Sequence, residues 1–169
     1  MISSERLILK SLSHDQLIKY IENDNSLERE LKLNPTQKII SSELREALEE
    51  TILPNVADTG KNHLFSTLWA IILKEESRMV GDVCFVGEPD ENGEIELGYG
   101  TYEPFRGKGY MKEAVSCIIE WVKMQENVKS IFAQTAKDNP ASFAVLVKNN
   151  FEKVGEGEGV FNWRLTLKP

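Results

Sequence analysis

Residues 94–114 read EIELGYGTYEPFRGKGYMKEA, and three kinds of local chemistry follow one another within them. Glu94 to Tyr102 alternates apolar and polar residues as a strand does, with Gly98 and Gly100 inside it. Glycine in a strand interior weakens pairing and marks a bulge or a close approach of another backbone. Next comes a loop in which Gly107 and Gly109 alternate with the cations Arg106 and Lys108. An apolar repeat then begins: Ala114, Val115, Ile118, Ile119 and Val122 recur at helical spacing, which predicts a helix over 111–126. The first turn of a helix has unpaired N–H groups and a partial positive charge. Glycines let such a turn adopt positive φ and close on an anion, so the loop reads as a phosphate cradle or, more simply, as a solvated turn. It is neither a Walker loop, since no Gly-Lys-Ser/Thr follows, nor a dinucleotide fingerprint, since Lys112 stands where the third glycine belongs.

Upstream, RLILKSL predicts a strand from Arg6 to Leu12, and Ser13 caps a helix over 14–21. A short helix is expected over 27–33, stopped by Pro35. Another, starting at Thr36 or Ser42, carries Leu44, Ala47, Leu48 and Ile52 and ends at Pro54. HLFSTLWAIILK reads as one strand, turned by EESR into MVGDVCFVG, and EPDENG turns that into the strand already quoted; three strands in sequence imply an antiparallel meander. Downstream, SIFAQTA reads as a strand. DNPASFAVLVKNNF reads as a helix with Asn139 as N-cap and Pro140 in the first helical position, closed by a left-handed Asn150. FEKVGEGEG and VFNWRLTLK supply the last two strands. The alternation of strands and helices after a meander predicts a mixed α/β fold around one sheet.

The chain has 169 residues, 41% of them apolar and 28% charged, enough for one domain, expected over 1–169, with a real core. A net charge of −7 disfavours nucleic acid as a partner and makes the cationic loop a local exception. The N-terminus lacks the apolar run of a signal peptide, and no stretch approaches a membrane span, so the expectation is a cytoplasmic protein with no membrane partner. Cys84 and Cys117 sit singly in apolar segments, as buried reduced thiols do. His14 and His63 are isolated, and neither metal nor redox cofactor is expected.

With these segments in view, the chain resembles the GNAT acetyltransferase superfamily, and within it the branch of ribosomal-protein N-terminal acetyltransferases. SERLILKSL is similar to that branch's opening strand, LWAIILKEESRMVGDVCF to its hairpin, IELGYGTYEPFRGKGYMKEA to its cofactor strand and pyrophosphate loop, and NPASFAVLVKNNF to its penultimate helix. The resemblance implies a central, mostly antiparallel sheet of about seven strands, splayed at the cofactor strand and flanked by helices. It implies acetyl-CoA as co-substrate, with its pyrophosphate on the backbone of Gly107, Lys108, Gly109, Tyr110, Met111 and Lys112, helped by Arg106. The pantetheine arm would pair with Tyr99, Gly100 and Thr101 as an added strand, ending near Asn139. Met111 departs from the family's Gly/Ala at the last loop position. The implied partners are acetyl-CoA and an amine acceptor, a protein N-terminus or a small amine, in a monomer or homodimer.

Acetyl transfer to an amine requires a neutral amine and a proton for the leaving thiolate, and positioning supplies much of the rest. Glu96, two residues before Gly98 and on its face, is the candidate base. Ser142 matches the branch's serine and is the candidate that bonds or protonates the thiolate; Tyr99 and Tyr102 are the remaining acids. Relatives that use a tyrosine five residues before the Gly-Phe phenylalanine have Leu146 as their counterpart here. Those that use a glutamate five residues before the asparagine have Gln134. These two departures motivate a second reading, a GNAT-like module that holds CoA without transferring acetyl. The acidic segment over 22–62 lies on the acceptor side.

Overall fold

In a computed structural model, residues 1–167 are described, and their strands form one sheet of eight in the order β1-β2-β3-β4-β5-β6-β8-β7. The strands are β1 (Ile2–Ser3), β2 (Leu7–Ser11), β3 (Leu68–Leu73), β4 (Arg78–Phe85), β5 (Glu94–Thr101), β6 (Ser130–Ala136), β7 (Glu152–Gly157) and β8 (Val160–Thr166). All neighbours are antiparallel except β5 and β6. The eighth strand beyond the expected seven is the two-residue β1, which pairs Ile2 with Leu9.

Every residue of β3 is buried, as a strand covered on both faces must be. On one face, Leu7, Leu9, Trp69, Ile71 and Val83 pack under α6 (Tyr110–Lys123) through Ala114, Val115 and Ile118. On the other, Ala70, Ile72 and Met79 pack under α1 (His14–Glu22) and the helical segment over 42–57 through Leu17, Tyr20, Leu48 and Ile52. Each such aliphatic side chain contributes roughly 1.5–3 kcal/mol on burial. Ser13 caps α1 with a full capping box, its hydroxyl accepting from the Gln16 N–H while the Gln16 side chain accepts from Ser13.

Five expectations are corrected. The strand expected from His63 starts at Leu68, because Asn62 caps a single helical turn, α5 (His63–Ser66), accepting from the Leu64 N–H. Pro54 does not end its helix. α3 (Ser42–Ala47), capped by Ser41, widens into a π-helical turn over Leu48–Ile52 and continues as α4 (Leu53–Ala57), with Pro54 in the first turn of α4. A proline lacks an N–H and clashes with the carbonyl four residues back, and the wider turn relieves both. The short helix α2 spans Ser26–Glu30, and α6 ends at Lys123 rather than at 126. Lastly, β5 carries no bulge at Gly98 or Gly100: its register with β4 runs unbroken from Gly81↔Thr101 to Phe85↔Leu97. The bulge lies one strand away, between β3 and β4 at Ile71/Ile72.

That bulge helps to open the sheet. β5 pairs with β6 only through Glu94↔Ser130, Ile95↔Ile131 and Glu96↔Phe132, while β6 continues to Ala136 against β8. A bulge bends its strand and increases its twist. β5, zipped to β4, turns with it and leaves β6 after Glu96. The two strands press close at Gly81, where a Cβ would stand 2.5 Å from the Gly100 carbonyl oxygen. At the hinge, the Glu94 carboxylate takes bonds from Arg164 Nε at 2.5 Å and Ser130 Oγ at 2.9 Å.

Candidate active site

The wedge between β5 and β6 opens into a cleft of about 490 Å³. Its walls are β5 from Tyr99 to Thr101, the loop and first turn of α6, and the inner side of α7 (Pro140–Lys148) from Asn139 to Lys148. Asn149 ties two of these walls together: its side-chain amide donates to the carbonyls of Lys112 at 3.2 Å and Val145 at 2.9 Å. Tyr99, Gly100, Thr101, Arg106, Gly107, Gly109, Tyr110, Met111, Lys112, Asn139 and Ser142 all line the cleft; Lys108 and Glu96 do not.

The loop itself is a row of free donors. The N–H groups of residues 107 to 112 donate to no acceptor among the described residues. Gly107 and Gly109 have φ of +75° and +79°, and Gly109 is the N-cap of α6. Consecutive N–H groups at a left-handed turn and a helix start form a concave anion site. The side chains play other parts. Arg106 Nε donates to the Thr101 carbonyl at 3.1 Å, so the guanidinium ties the loop to the end of β5. The Lys108 ammonium lies over the Phe105 ring, 5.8 Å from its centre.

A brace that sequence reasoning missed holds the loop from outside. Arg6 donates from Nε to Glu113 at 2.6 Å and from Nη1 to the Lys108 carbonyl at 3.2 Å, and its guanidinium stacks 4.8 Å from the Tyr110 ring centre. Glu113 also accepts from Ser4 Oγ at 2.6 Å and the Arg6 N–H at 2.8 Å. Burial pushes the Glu113 carboxyl up, but these bonds outweigh it and hold it below the usual carboxylate range. The acidic residue in the first turn of α6 was the available signal, since it suits the helix dipole.

Across the cleft, Asn139 caps α7 by accepting from the Ser142 N–H at 3.2 Å. The Tyr99 hydroxyl donates to the Ser142 carbonyl at 2.8 Å, and Ser142 Oγ lies 3.5 Å from that same hydroxyl. Burial pushes the Tyr99 phenol up to about 12, so it keeps its proton at neutral pH. Leu146 is fully buried, and Gln134 donates to Asn162 on the surface, so neither position supplies an acid or base to the cleft.

Glu96 lies on the other face of β5. Strand residues alternate: 95, 97, 99 and 101 face α6 and the cleft, whereas 96, 98 and 100 face the side covered by α1 and α3–α4. The Glu96 carboxylate takes no hydrogen bond from a described residue, and burial raises its pKa above the ordinary value. Toward the other end of the same face, Asp82 on β4 accepts from the hydroxyls of Tyr20 at 2.6 Å and Tyr102 at 3.2 Å. Tyr102 thereby serves a buried carboxylate, and burial pushes its phenol well up. Among the described residues no group of three His, Cys, Asp or Glu is placed to hold a metal ion, and no helix is long and apolar enough to cross a membrane.

The splayed strand, donor loop and capped helix enclose one cleft, and comparison with known proteins supplies the family. The acetyltransferase (GNAT) domain matches residues 6–152, and the chain belongs to this family of acetyl-CoA-dependent N-acetyltransferases. It is 30% identical over 154 residues to the uncharacterized N-acetyltransferase YjdG of Bacillus subtilis, covering 89% of both chains. In fold it is similar to the ribosomal-protein-S5-alanine acetyltransferase of Vibrio fischeri, with a TM-score of 0.69, 21% identity and coverage of 99% and 98%. It is also similar to the spermidine N-acetyltransferase of Vibrio cholerae, solved with CoA and spermine, with a TM-score of 0.65, 15% identity and 97% of both chains covered.

Proposed function

We propose that the chain acts over 1–169 as a single-domain enzyme that transfers acetyl from acetyl-CoA to a primary amine, a protein N-terminus or a small molecule, by direct attack in a ternary complex. The observation that carries this reading is the run of unused N–H groups over 107–112 at the mouth of an open strand wedge. The donors suit a pyrophosphate without any charged side chain having to supply most of the contacts. The free edge of β5 at Tyr99, Gly100 and Thr101 suits an extended amide-bearing arm, which would add to the sheet as a strand does. Asn139 and Ser142 lie at the far wall of the same cleft. Free Cys84 and Cys117 fit a reducing, cytoplasmic setting.

Acetyl-CoA, when bound, supplies an activated thioester whose C–S bond breaks as the C–N bond forms. Glu96, raised by burial and unbonded, takes the proton that the incoming ammonium must lose before its nitrogen can attack. The hydroxyl pair of Ser142 and Tyr99 bonds the departing sulfur and gives it a proton, which is replaced by the second proton that the nitrogen sheds on forming the amide. The donor is held in the wedge and the acceptor meets it from the opposite face of β5, so positioning across one strand supplies much of the rate.

The test is thiol release from acetyl-CoA in the presence of a panel of peptides and small amines, with the acetylated product identified by mass. Turnover with at least one amine is expected. CoA binding without transfer to any member would sink the reading and leave a CoA-holding module.

A further inference from the structure

The charges on the acceptor face of the sheet do not balance within the fold. Two carboxylates are deeply buried there. Glu28 is paired with the Lys38 ammonium at 2.8 Å, both side chains being 1% exposed. Asp82, 7% exposed, has no ion pair among the described residues. Both of its hydrogen bonds, from Tyr20 and Tyr102, fall on Oδ2, and Oδ1 accepts none. A buried charge is ordinarily paired, so the ionised form of this carboxylate favours a cationic ligand.

The space for it lies beside β5. Asp82 stands directly opposite Gly100 in the β4–β5 ladder, and Cys84 opposite Gly98. Paired residues of antiparallel strands share a face. A Cβ built on Gly100 would meet nothing within 4 Å, and Gly100 is exposed. The two glycines therefore leave an unwalled trough, with Glu96 at one end and Asp82 level with the other. Glu96 and Gly100 are four residues apart, roughly 13 Å along a strand. One amine nitrogen cannot serve both carboxylates.

We propose that Asp82 anchors a second positive charge on the acceptor, so that the preferred acceptor is an amine carrying another cationic group on the order of 10 Å from the reacting nitrogen. This rests on the acetyltransferase reading above, in which Glu96 addresses the reacting amine. Tyr20 and Tyr102 occupy Oδ2 and leave Oδ1 without a donor among the described residues, on the strand position that Gly100 leaves uncovered. The groups facing Asp82 are Tyr20 on α1, Tyr102 after β5, Lys38 from the segment before α3, and Cys84 on β4. Burial pushes both phenols far up and the Cys84 thiol up to about 12, so these three stay neutral. Burial likewise raises the Asp82 carboxyl to about 6 against the pull of the two hydroxyls and Lys38. Its folded pKa is above the unfolded one, so its contribution to stability is full below about pH 4 and is lost as the pH rises through about 6. The ionised form is thus held at a cost to the fold, as functional groups often are.

The test is calorimetric titration of the protein, alone and with CoA, using an α,ω-diamine and the monoamine of equal length. At pH 7.5 the diamine should bind at least tenfold more tightly, and this advantage should fade as the pH drops below about 6. Asp82→Asn keeps an oxygen for both tyrosines; it should erase the advantage, leave CoA affinity within twofold and not lower Tm. Equal binding of the two amines by the wild-type protein, or a preference that survives Asp82→Asn, would overturn the proposal. Both results are read from binding. A wild-type protein that binds the diamine through Asp82 yet acetylates nothing would count against the transferase reading alone.

Discussion

The two faces of β5 solve their tasks with different chemistry. The cleft face presents main-chain N–H groups over 107–112 and a free strand edge, while the trough face presents the carboxylates of Glu96 and Asp82. Main-chain donors carry no titratable proton, so the cleft face should hold its ligand almost independently of protein ionisation between pH 5 and 8. The trough face should lose its affinity for a cation as the pH falls through about 6, where Asp82 takes up a proton. On the reading proposed above, the difference teaches that one strand can keep the binding of a donor substrate separate from the protonation state an acceptor needs.

The largest effect expected is on the trough face. Glu96→Gln should lower kcat/KM at neutral pH by about 10²-fold, in the range of a lost general base. Because burial raises Glu96, and only its ionised form accepts a proton, the acid limb of wild-type kcat/KM should lie above the ordinary glutamate value near 4.3. The defect should shrink at high pH, where more of the amine is already neutral. A loss of less than about threefold at every pH would reduce Glu96 to a strand residue.

On the cleft face, Gly109→Val should weaken acetyl-CoA binding about tenfold or more. A β-branched residue at φ +79° costs on the order of 1–3 kcal/mol, and relief of that strain turns the N–H row out of line. Unchanged affinity in a folded variant, measured by calorimetry, would break the contrast at its centre. Arg106→Ala should do less, about threefold on Kd, since the guanidinium holds the loop to Thr101 and the N–H groups make the contacts. An Arg106→Ala effect larger than that of Gly109→Val would show a face built on side-chain charge.

The smallest effect is on the hinge shared by both faces. Arg164, then Ser130, hold the Glu94 carboxyl below its usual range against burial. Its contribution to stability is therefore complete above the ordinary carboxylate pKa and lost as the pH falls through the lower folded value. Glu94→Gln should lower Tm by a few degrees at pH 7, since a partly exposed bridge is worth about 0–1 kcal/mol. The difference should disappear in acid, and thermal melts at both pH values check it.

Sequence alone carried the walls of the cleft well, because a turn at positive φ advertises itself through glycine, as at Gly107 and Gly109. The cap at Asn139, the proline at 140 and the left-handed Asn150 were equally legible, since capping is a local matter. The helical turn at His63 was not, because a long apolar run satisfies helix and strand alike until the Asn62 cap is counted. Nor was the passage of a helix through Pro54, which needs a π turn to accommodate it. Neither Arg6 nor Asp82 stood out among 20 basic and 27 acidic residues. Arg6 meets Glu113 across 107 residues of chain, and Asp82 meets Tyr20 across 62. The sequence by itself determined the order of elements and the donor loop, because periodicity, caps and positive φ are properties of neighbouring residues. Only the tertiary structure decided which carboxylate is buried without a cation, because burial and pairing are set by residues that folding alone brings together.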